Sequence, residues 1–517
     1  MRLRAGQRVC TADEAVAEIP DDATVASGGF VGAAHPEALT AALEHRFLAT
    51  DSPKNLTLLF GAGQGDGKTR GLNRLAHVGL LKRVVAGHLG LVPKIGRLAL
   101  DGRIEAVNLP QGVLCQLLRD IAAGRPGLVT HVGLDTFVDP RQSGGRLNEI
   151  TPPGSVERIE LRGREWLFYH TFPIHVGLIR ATAADPFGNL IMDEEAVLGE
   201  GLPIAQAVRN SRGLLIAQVS RLLDRPARPS HVRIPGVLVD RIVVAEPEHH
   251  ETTFAEPHNP AYYSAADAAQ TELTPREVTA ARRARRIIGA RACDELTPGW
   301  LVNLGIGVPE AIAEIAGERN LLETFTLTVE SGPIGGRPAG GLSFGASAYP
   351  QAIIDQPAMF DLYDGGGLDF AALGAAQVDV SGNVNVSRFH QRLAGSGGFI
   401  NISQSTRRLV FCGTFTSRGL EVSVVDGKLR IDREGTESKF VPHVEQVTFS
   451  GARARADGRD VLYITERAVF RLIAEGLELI EIAPGIDVQR DILSRMGFRP
   501  LIREVREWLP RVLDSAG

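Results

Sequence analysis

The chain has 517 residues, of which 44% are hydrophobic and 23% charged, and its formal net charge is −5. This composition is typical of globular proteins, and the length predicts about two to four domains. A net negative charge gives the protein no overall positive potential, so neither nucleic acid nor an anionic membrane is expected as a partner.

The cysteines and the hydropathy pattern further limit the class of protein to which the chain can belong. The four cysteines, at positions 10, 115, 293 and 412, lie far apart and show no CxxC spacing. We therefore expect no zinc site, no other bound metal and no disulfide framework. The N-terminal segment has no apolar stretch like that of a secretion signal, and no run of eighteen uncharged apolar residues occurs. These patterns predict a cytoplasmic protein without a membrane span.

Glycines cluster at the ends of short apolar runs. In chain order, the stretches ATVASGGFVGAAHPEALTAAL (23–43), NLTLLFGAGQGDGKT (55–69) and GWLVNLGIGVPEAIAEIA (299–316) each place a glycine turn between a strand-like run and a helical pattern. This repetition predicts an open α/β fold in which the backbone approaches a ligand closely.

Several of these stretches occur twice. The tetrapeptide PEAL at 36–39 is echoed by PEAI at 309–312, and TAADPFGN at 182–189 is echoed by AAQVDVSGN at 375–383. Repeats in the same order indicate two related α/β halves in one chain, although chance similarity between glycine turns is the simpler alternative. The predicted division is 1–255 for the first half, 256–278 for a polar linker and 279–517 for the second half.

The stretch TLTVESGPIGG at 326–336 carries a carboxylate where a strand gives way to a turn. Thr326 to Val329 are β-branched or aliphatic, so they favour a half-buried strand, and Glu330 follows them before a glycine loop. A strand and a glycine loop together present such a side chain rigidly, which indicates a functional carboxylate. A solvated turn glutamate is the alternative.

Together with this stretch, the strings NLGIGVPE, YDGGGLDFAALGAAQVDVSGNVNVS, GSGGFINISQ and NLPQGVL resemble the family I CoA-transferases. The similarity extends over nearly the whole chain and is strongest to the fused-chain acetate/propionate type, which is itself similar to the 3-oxoacid CoA-transferases. By position, the resemblance implies that Glu330 is the nucleophile and that it lies at the junction between the two halves.

The resemblance also implies roles for other residues. The side-chain amide of Gln111 and the loop containing Gly397 and Gly398 would form an oxyanion hole, the latter through backbone N–H groups. A helix-capping role for Gln111 is the alternative. Substrate and CoA would contact a further set of residues, for which tight packing of the glycines is the competing explanation: Gly28, Gly29, Phe30, Gly32, Asn303, Gly305, Gly307 and Gly395.

The chemistry itself favours a carboxylate nucleophile. Moving CoA between carboxylic acids without ATP requires a temporary acyl acceptor that retains the thioester energy, and a protein carboxylate can do this as a mixed anhydride. A glutamate, with an ordinary pKa of about 4.3, is already ionised near neutral pH and needs no general base. The chemistry therefore predicts a ping-pong reaction with CoA as co-substrate and no tightly bound cofactor, and the resemblance implies a CoA-transferase for short-chain acids such as acetate and propionate. A homodimer or homotetramer follows from the resemblance alone.

Two other functions remain open from the sequence. The stretch AGQGDGKT at 62–69 matches a relaxed P-loop that follows a strand-like run, and such a loop can cradle phosphate. Its weaknesses are a glycine at 71 that interrupts the following helix and the absence of Lys and Thr from the equivalent stretch of the second half. A non-catalytic acyl-CoA-binding protein is the third class, for which Glu330 would never become covalently modified.

Overall fold

The structure is a computed structural model that describes residues 3, 6–265, 280–389, 392–508 and 511–514. The chain forms two compact units that alternate along the sequence. Unit 1 comprises Met1–Ala266, Val329–Asp361 and Phe389–Asn401, and unit 2 comprises Asp267–Thr328, Leu362–Arg388 and Ile402–Gly517. Residues 266–278 of the predicted linker lie outside the described part of the chain, and the division into sequence halves stays a prediction.

The helices, in chain order, are α1 (Ala12–Val16), α2 (Glu37–Thr50), α3 (Pro93–Leu100), α4 (Gln111–Ala122), α5 (Gly201–Asn210), α6 (Ala280–Cys293), α7 (Glu310–Glu318), α8 (Gln356–Asp364), α9 (Phe399–Ser405), α10 (Gly451–Ala456) and α11 (Arg511–Asp514). The strands are β1 (Arg8–Val9), β2 (Thr24–Ser27), β3 (Leu56–Phe60), β4 (Leu81–Ala86), β5 (Glu105–Asn108), β6 (Gly127–Thr130), β7 (Val156–Leu161), β8 (Arg164–His170), β9 (Val176–Ala184), β10 (Leu190–Ile191), β11 (Leu214–Leu222), β12 (Val232–Ile234), β13 (Arg241–Val244), β14 (Leu301–Leu304), β15 (Thr326–Thr328), β16 (Pro333–Ile334), β17 (Arg337–Pro338), β18 (Ser347–Ala348), β19 (Ala352–Ile353), β20 (Phe370–Gly374), β21 (Gln377–Val378), β22 (Val384–Asn385), β23 (Arg388–Phe389), β24 (Arg392–Leu393), β25 (Arg408–Cys412), β26 (Thr416–Ser417), β27 (Glu421–Val425), β28 (Lys428–Arg433), β29 (Glu437–Ser438), β30 (Asp460–Ile464), β31 (Ala468–Ile473), β32 (Gly476–Ile482) and β33 (Leu501–Glu507).

The main sheet of unit 1 is largely parallel and buried on both faces, with β10 pairing antiparallel to β9 and β12. Its strands run in the order β1-β13-β11-β9-β2-β3-β4-β5, and neighbours in this order are parallel. Successive residues of a strand point to opposite faces. Accordingly, Leu59 and Val85 belong to one hydrophobic cluster and Leu58 and Val84 to another. Two apolar layers therefore enclose the sheet, as is usual where helices cover both faces of parallel strands.

The carboxyl ends of four neighbouring strands of this sheet lead directly into turns. Gly28 follows β2, Gly61 follows β3, Gly87 follows β4, and Leu109-Pro110 joins β5 to α4. Ligands of open α/β sheets bind at the carboxyl edge of the strands. Gln111, the first residue of α4, therefore lies at the edge where a site is expected.

Unit 2 also contains an open, largely parallel sheet. Its strands follow the order β15-β14-β20-β25-β30-β31-β32-β33. The first five are parallel, β31 is antiparallel to both of its neighbours, and β33 is parallel to β32. The predicted α/β class is confirmed.

Two further features bear on function. No helix in the described residues is long and apolar enough to cross a membrane. Within the same part of the chain, no three or more histidine, cysteine, aspartate or glutamate side chains are grouped so as to hold a metal ion.

Candidate active site

Glu330 lies in a tight turn that backbone hydrogen bonds close. The N–H of Val329 donates to the carbonyl of Pro333 (3.0 Å), and the N–H of Gly332 donates to the carbonyl of Val329 (3.0 Å). Gly332 has φ 130°, and a Cβ at this position would lie 2.1 Å from the carbonyl oxygen of Ile354. Val329 and Ser331 are buried, whereas Glu330 is only partly buried. The turn thus holds the backbone of Glu330 while its side chain stays accessible.

Ser331 connects this turn to the predicted Phe30 loop, and both belong to unit 1. The Ser331 hydroxyl donates to the carbonyl of Gly345. Gly345 packs so closely on the ring of Phe30 that a Cβ would lie 2.3 Å from Phe30 Cδ1. Phe30 also packs on Phe344, with ring centroids 5.7 Å apart. Packing thus connects the Glu330 turn to the end of β2.

The glycines of the loop after β2 have structural reasons to be there. Gly29 has φ 125°, and a Cβ would lie 3.0 Å from the Ala34 carbonyl oxygen. At Gly32 a Cβ would lie 2.5 Å from the backbone nitrogen of Phe254. At Gly28, by contrast, a Cβ would make ordinary contacts of 3.5 Å or more. Close packing therefore explains Gly29 and Gly32 without a ligand, whereas Gly28 has room for a methyl group.

Gln111 presents an unpaired side-chain nitrogen. Its backbone N–H donates to the carbonyl of Gly397 (2.9 Å), but its Nε2 is buried and has no hydrogen-bond partner among the described residues. No bond from this side chain to α4 is found in the same residues, so the structure offers no support for a capping role. Burying an amide N–H without a partner costs free energy. A buried donor left open at the carboxyl edge of the sheet is therefore suited to a ligand oxygen.

The loop from Gly395 to Gly398 lies against the end of β4. Gly395 pairs with His88 in an isolated bridge, and the N–H of Gly397 donates to the carbonyl of Gly87 (2.8 Å). This bond is at odds with the prediction that Gly397 offers its N–H to an oxyanion, because the donor is already used. Gly398 N–H has no partner among the described residues. Of the two predicted backbone donors, only Gly398 is available.

Asn303, Gly305 and Gly307 belong to unit 2, whereas the other predicted site residues belong to unit 1. The buried Asn303 donates through Nδ2 to the Thr328 carbonyl (3.2 Å) and to the Tyr363 hydroxyl (3.3 Å). Gly305 N–H donates to the Ala372 carbonyl, and Gly307 N–H donates to the Glu310 carboxylate. These three residues therefore stabilise the ends of β14 and α7, and a role in binding stays a prediction.

The stretch at 62–69 does not form a phosphate cradle. The Asp66 carboxylate accepts the N–H groups of Lys68, Thr69 and Arg70 at 2.8, 2.8 and 3.0 Å. The next element is a short 3₁₀ helix, Leu72–Leu75, instead of the α-helix that a P-loop requires. Because the loop amides bind the loop's own carboxylate, the geometry contradicts the P-loop alternative.

His88 was not identified from the sequence. It follows Gly87 at the end of β4, and its ring packs so closely that a Cβ at Gly63 would lie 2.6 Å from Nδ1 and a Cβ at Gly90 would lie 2.8 Å from Cε1. Desolvation, reinforced by the positive charge of Arg392, lowers the pKa of His88 to about 4. The ring is therefore neutral at neutral pH. Its position between glycines in AGHLG was the available sequence signal.

Glu200 was missed as well. It precedes α5 and is 1% exposed, and burial raises the pKa of its carboxyl to about 8. Its Oε2 has no hydrogen-bond partner among the described residues. Sequence alone could not identify it, because LGEGLP resembles an ordinary exposed helix start.

Known proteins match this chain over nearly its whole length. The family described as Coenzyme A transferase matches residues 9–245. The chain is 44% identical over 499 residues to the caffeate CoA-transferase of Acetobacterium woodii, which covers 95% of this chain and 94% of that protein. The chain belongs to the coenzyme A transferase family.

Two further relatives define the type of this CoA-transferase. An acetate CoA-transferase of Escherichia coli K12 is 41% identical over 506 residues, covering 97% of this chain and 94% of that protein. The crystal structure of an acyl-CoA transferase from Escherichia coli O157:H7, in a thioester complex with CoA, has a TM-score of 0.91 and 40% identity, covering 98% of this chain and 96% of that one. The enzyme is thus a fused-chain family I CoA-transferase that acts on acyl-CoA and carboxylates, with CoA as co-substrate.

Substitution of Gly332 tests the rigidity of the Glu330 turn. In Gly332→Ala the new Cβ would collide with the Ile354 carbonyl at a φ of 130°, so we expect a loss of about 1–3 kcal/mol in the free energy of unfolding and a marked loss of activity. Gly96→Ala in α3 is the matched control, because the nearest atom is 3.8 Å away and φ is negative or extended. Denaturant unfolding and turnover would be measured on both variants. Wild-type stability in Gly332→Ala would contradict the role given to the turn.

The neutral state of His88 makes stability depend on pH. Its pKa of about 4 lies below the unfolded value of 6.5, so the unfolded chain binds more protons between these two values. The contribution of His88 is therefore present above pH 6.5 and is lost as the pH falls through about 4. We expect His88→Gln to show a smaller fall in the free energy of unfolding over this window than wild type. Identical dependence of the free energy of unfolding on pH in wild type and His88→Gln would contradict the lowered pKa of His88.

Proposed function

We propose that the enzyme transfers CoA between a short-chain acyl-CoA and a free carboxylic acid, such as acetate or propionate, with Glu330 as the nucleophile. The observation that carries this proposal is the rigid turn that presents Glu330 beside a glycine loop. The thioester complex with CoA of the related Escherichia coli enzyme supports a covalent intermediate, and the acetate CoA-transferase relative supports the substrate class.

The proposed reaction proceeds in two half-reactions. The Glu330 carboxylate attacks the acyl-CoA carbonyl carbon, the C–S bond breaks, and an acyl-glutamyl anhydride and CoA thiolate result. The thiolate then attacks the glutamyl carbonyl carbon, which releases the first carboxylate and leaves a glutamyl-CoA thioester. The incoming carboxylate attacks this thioester, and the same steps in reverse yield the new acyl-CoA. Because the first acid leaves before the second reacts, the kinetics are ping-pong.

Each attack places negative charge on a carbonyl oxygen. The buried Nε2 of Gln111 and the N–H of Gly398 are the donors that we assign to this oxyanion, since neither has another partner among the described residues. Donors that are oriented in advance and shielded from water stabilise a developing oxyanion far more than donors in water do. The Gly397 carbonyl, bonded to the backbone of Gln111, would fix the start of α4 at this point.

A second substrate class is supported by one specific observation. The Acetobacterium woodii relative is named for caffeate, and its identity to this chain is similar to that of the acetate enzyme. Turnover with acetate, propionate and caffeate as acceptors, compared as kcat/KM, distinguishes a short-chain enzyme from one for aryl acids. We also propose that the enzyme works in the cytoplasm as a homodimer or homotetramer, without a tightly bound cofactor.

Mass spectrometry tests the nucleophile. Incubation with propionyl-CoA in the absence of an acceptor should give a CoA adduct, and borohydride reduction followed by peptide mapping should convert Glu330 to its alcohol. Glu330→Ala should give neither product. Glu475→Ala is the matched control, because Glu475 also lies in a turn before a glycine but is exposed and pairs with Arg503. Absence of an adduct in folded wild-type protein would favour a non-catalytic acyl-CoA-binding protein.

Substitution of Gln111 tests the oxyanion donor. We expect Gln111→Ala to lower kcat about 10²–10³-fold, because one donor is lost from the transition state, with little change in the KM for acyl-CoA. Gln116→Ala, further along α4, removes side-chain hydrogen bonds to Arg119, Pro357 and Asp361 and should keep near wild-type kcat. A Gln111→Ala effect confined to KM would contradict the assignment.

A further inference from the structure

Seven buried polar atoms of unit 1 lack hydrogen-bond partners among the described residues, and five of them belong to residues around the candidate site. These five are Gln111 Nε2, Glu200 Oε2, Ser396 Oγ, and Nε2 and Oε1 of Gln356, and the other two are Arg83 Nε and Glu195 Oε2. Unsatisfied buried polar groups are uncommon in native proteins, because each costs free energy of desolvation. Their accumulation next to a candidate active site indicates a functional use.

Glu200 is adjacent to three segments of the site. The carbonyl of the preceding residue, Gly199, accepts the backbone N–H of Gln356 at 3.0 Å. A Cβ added at Gly199 would lie 3.7 Å from the backbone nitrogen of Gly29. On its other side Glu200 faces Gly61 at the end of β3. The Glu200 side chain therefore lies at the edge of the sheet where strands β2 and β3 end.

Gly61 separates Glu200 from Gln111. A Cβ added at Gly61 would lie 3.6 Å from Glu200 Oε1, 3.5 Å from Gln111 Cγ and 3.9 Å from Cys115 Sγ. The Glu200 carboxyl and the base of the Gln111 side chain therefore approach the same point beside Gly61 from different elements. A charge on one of these side chains would be felt by the other.

No basic side chain lines the surroundings of Glu200 among the described residues. The cleft that it lines is formed by β2, β3, α4 and α5 through Ala26, Ser27, Leu59, Phe60, Gly61, Leu114, Cys115, Leu118 and Ile204. Of these residues only Cys115 can titrate, and none is basic. Desolvation is the main cause that raises the pKa of Glu200 to about 8, so the carboxyl is protonated at neutral pH.

We propose that Glu200 is a positioning residue that must be protonated for Gln111 to stabilise the oxyanion. When neutral, the carboxyl leaves Nε2 of Gln111 available to the reacting carbonyl oxygen. When ionised, it would place a negative charge behind the oxyanion site, attract the glutamine N–H groups toward itself and oppose charge development on the substrate. Within a low-dielectric interior both effects are large. The inference rests on the proposed role of Gln111.

The pH dependence of turnover tests the proposal. In wild type, kcat at saturating propionyl-CoA and acetate should fall above pH 8, approaching about tenfold for each further pH unit. Glu200→Gln keeps a neutral polar side chain of the same size, so it should retain kcat near the wild-type value at pH 7. The fall in kcat above pH 8, called the alkaline fall below, should be absent from this variant. The KM for propionyl-CoA should change little.

Two further variants sharpen the result. Gly61→Ala places a methyl group in ordinary contact with the carboxyl and desolvates it further, so the alkaline fall should move to higher pH. Cys115→Ala removes the other titratable side chain of the cleft and should leave the fall where it is in wild type. An alkaline fall in Glu200→Gln that matches wild type, or one that disappears in Cys115→Ala, would overturn the proposal.

Stability provides an independent readout. A carboxyl whose folded pKa exceeds the unfolded value of 4.5 binds more protons in the native state, so its stabilising contribution is lost as the pH rises toward about 8. Glu200→Gln should therefore gain stability relative to wild type across this range. A difference in the free energy of unfolding between the variant and wild type that does not change with pH would count against a protonated Glu200.

If Glu330→Ala remained active, the proposed function would have failed. If Glu330→Ala is inactive but Glu200→Gln behaves as wild type in both measurements, only the present inference fails.

Discussion

The buried side chain of Asn108 is the contact on which the geometry of the candidate site depends. Its Nδ2 donates to the carbonyls of Ala86 (2.7 Å) and Gly87 (2.6 Å), and its Oδ1 accepts the N–H of Ser396 (2.9 Å). One amide at the end of β5 thereby joins the end of β4 to the glycine loop that contains Gly397. Gly397 in turn bonds to the backbone of Gln111. The spacing of the donors assigned to the oxyanion therefore follows from backbone positions that Asn108 holds in place.

Burial gives this edge of the sheet its electrostatic character. Desolvation keeps both the His88 imidazole and the Glu200 carboxyl in their neutral forms at neutral pH. A site with few competing charges and little water lets a small number of N–H groups stabilise an oxyanion strongly. The reaction that we propose needs this arrangement, because a glutamate nucleophile requires no general base and the enzyme must supply only positioning and donors.

Particular residues show which features of the fold and site could be predicted from the sequence and which could not. The α/β class followed from repeated strand, glycine turn and helix patterns, because such turns are local and their chemistry is visible in the residues. The family resemblance predicted Glu330 as the nucleophile and Gln111 as an oxyanion donor, and both roles stay predictions; the structure places both residues in unit 1 with the geometry described above. For Gly397 the prediction did not anticipate that Gly87, distant in sequence, would already accept its N–H. At residues 62–69 the P-loop pattern was present, but Asp66 binds the loop amides itself, a contact that a motif does not reveal.

The sequence by itself determined the fold class, the family and the candidate nucleophile, because local propensity, glycine placement and long shared strings are properties of the chain in one dimension. Only the tertiary structure decided which donors are open and which residues are neutral. Whether an N–H group is free depends on partners hundreds of residues away, as with Asn108 and Ser396. Protonation near neutral pH depends on desolvation by packed neighbours, which is why Glu200 and His88 became apparent only in the folded protein.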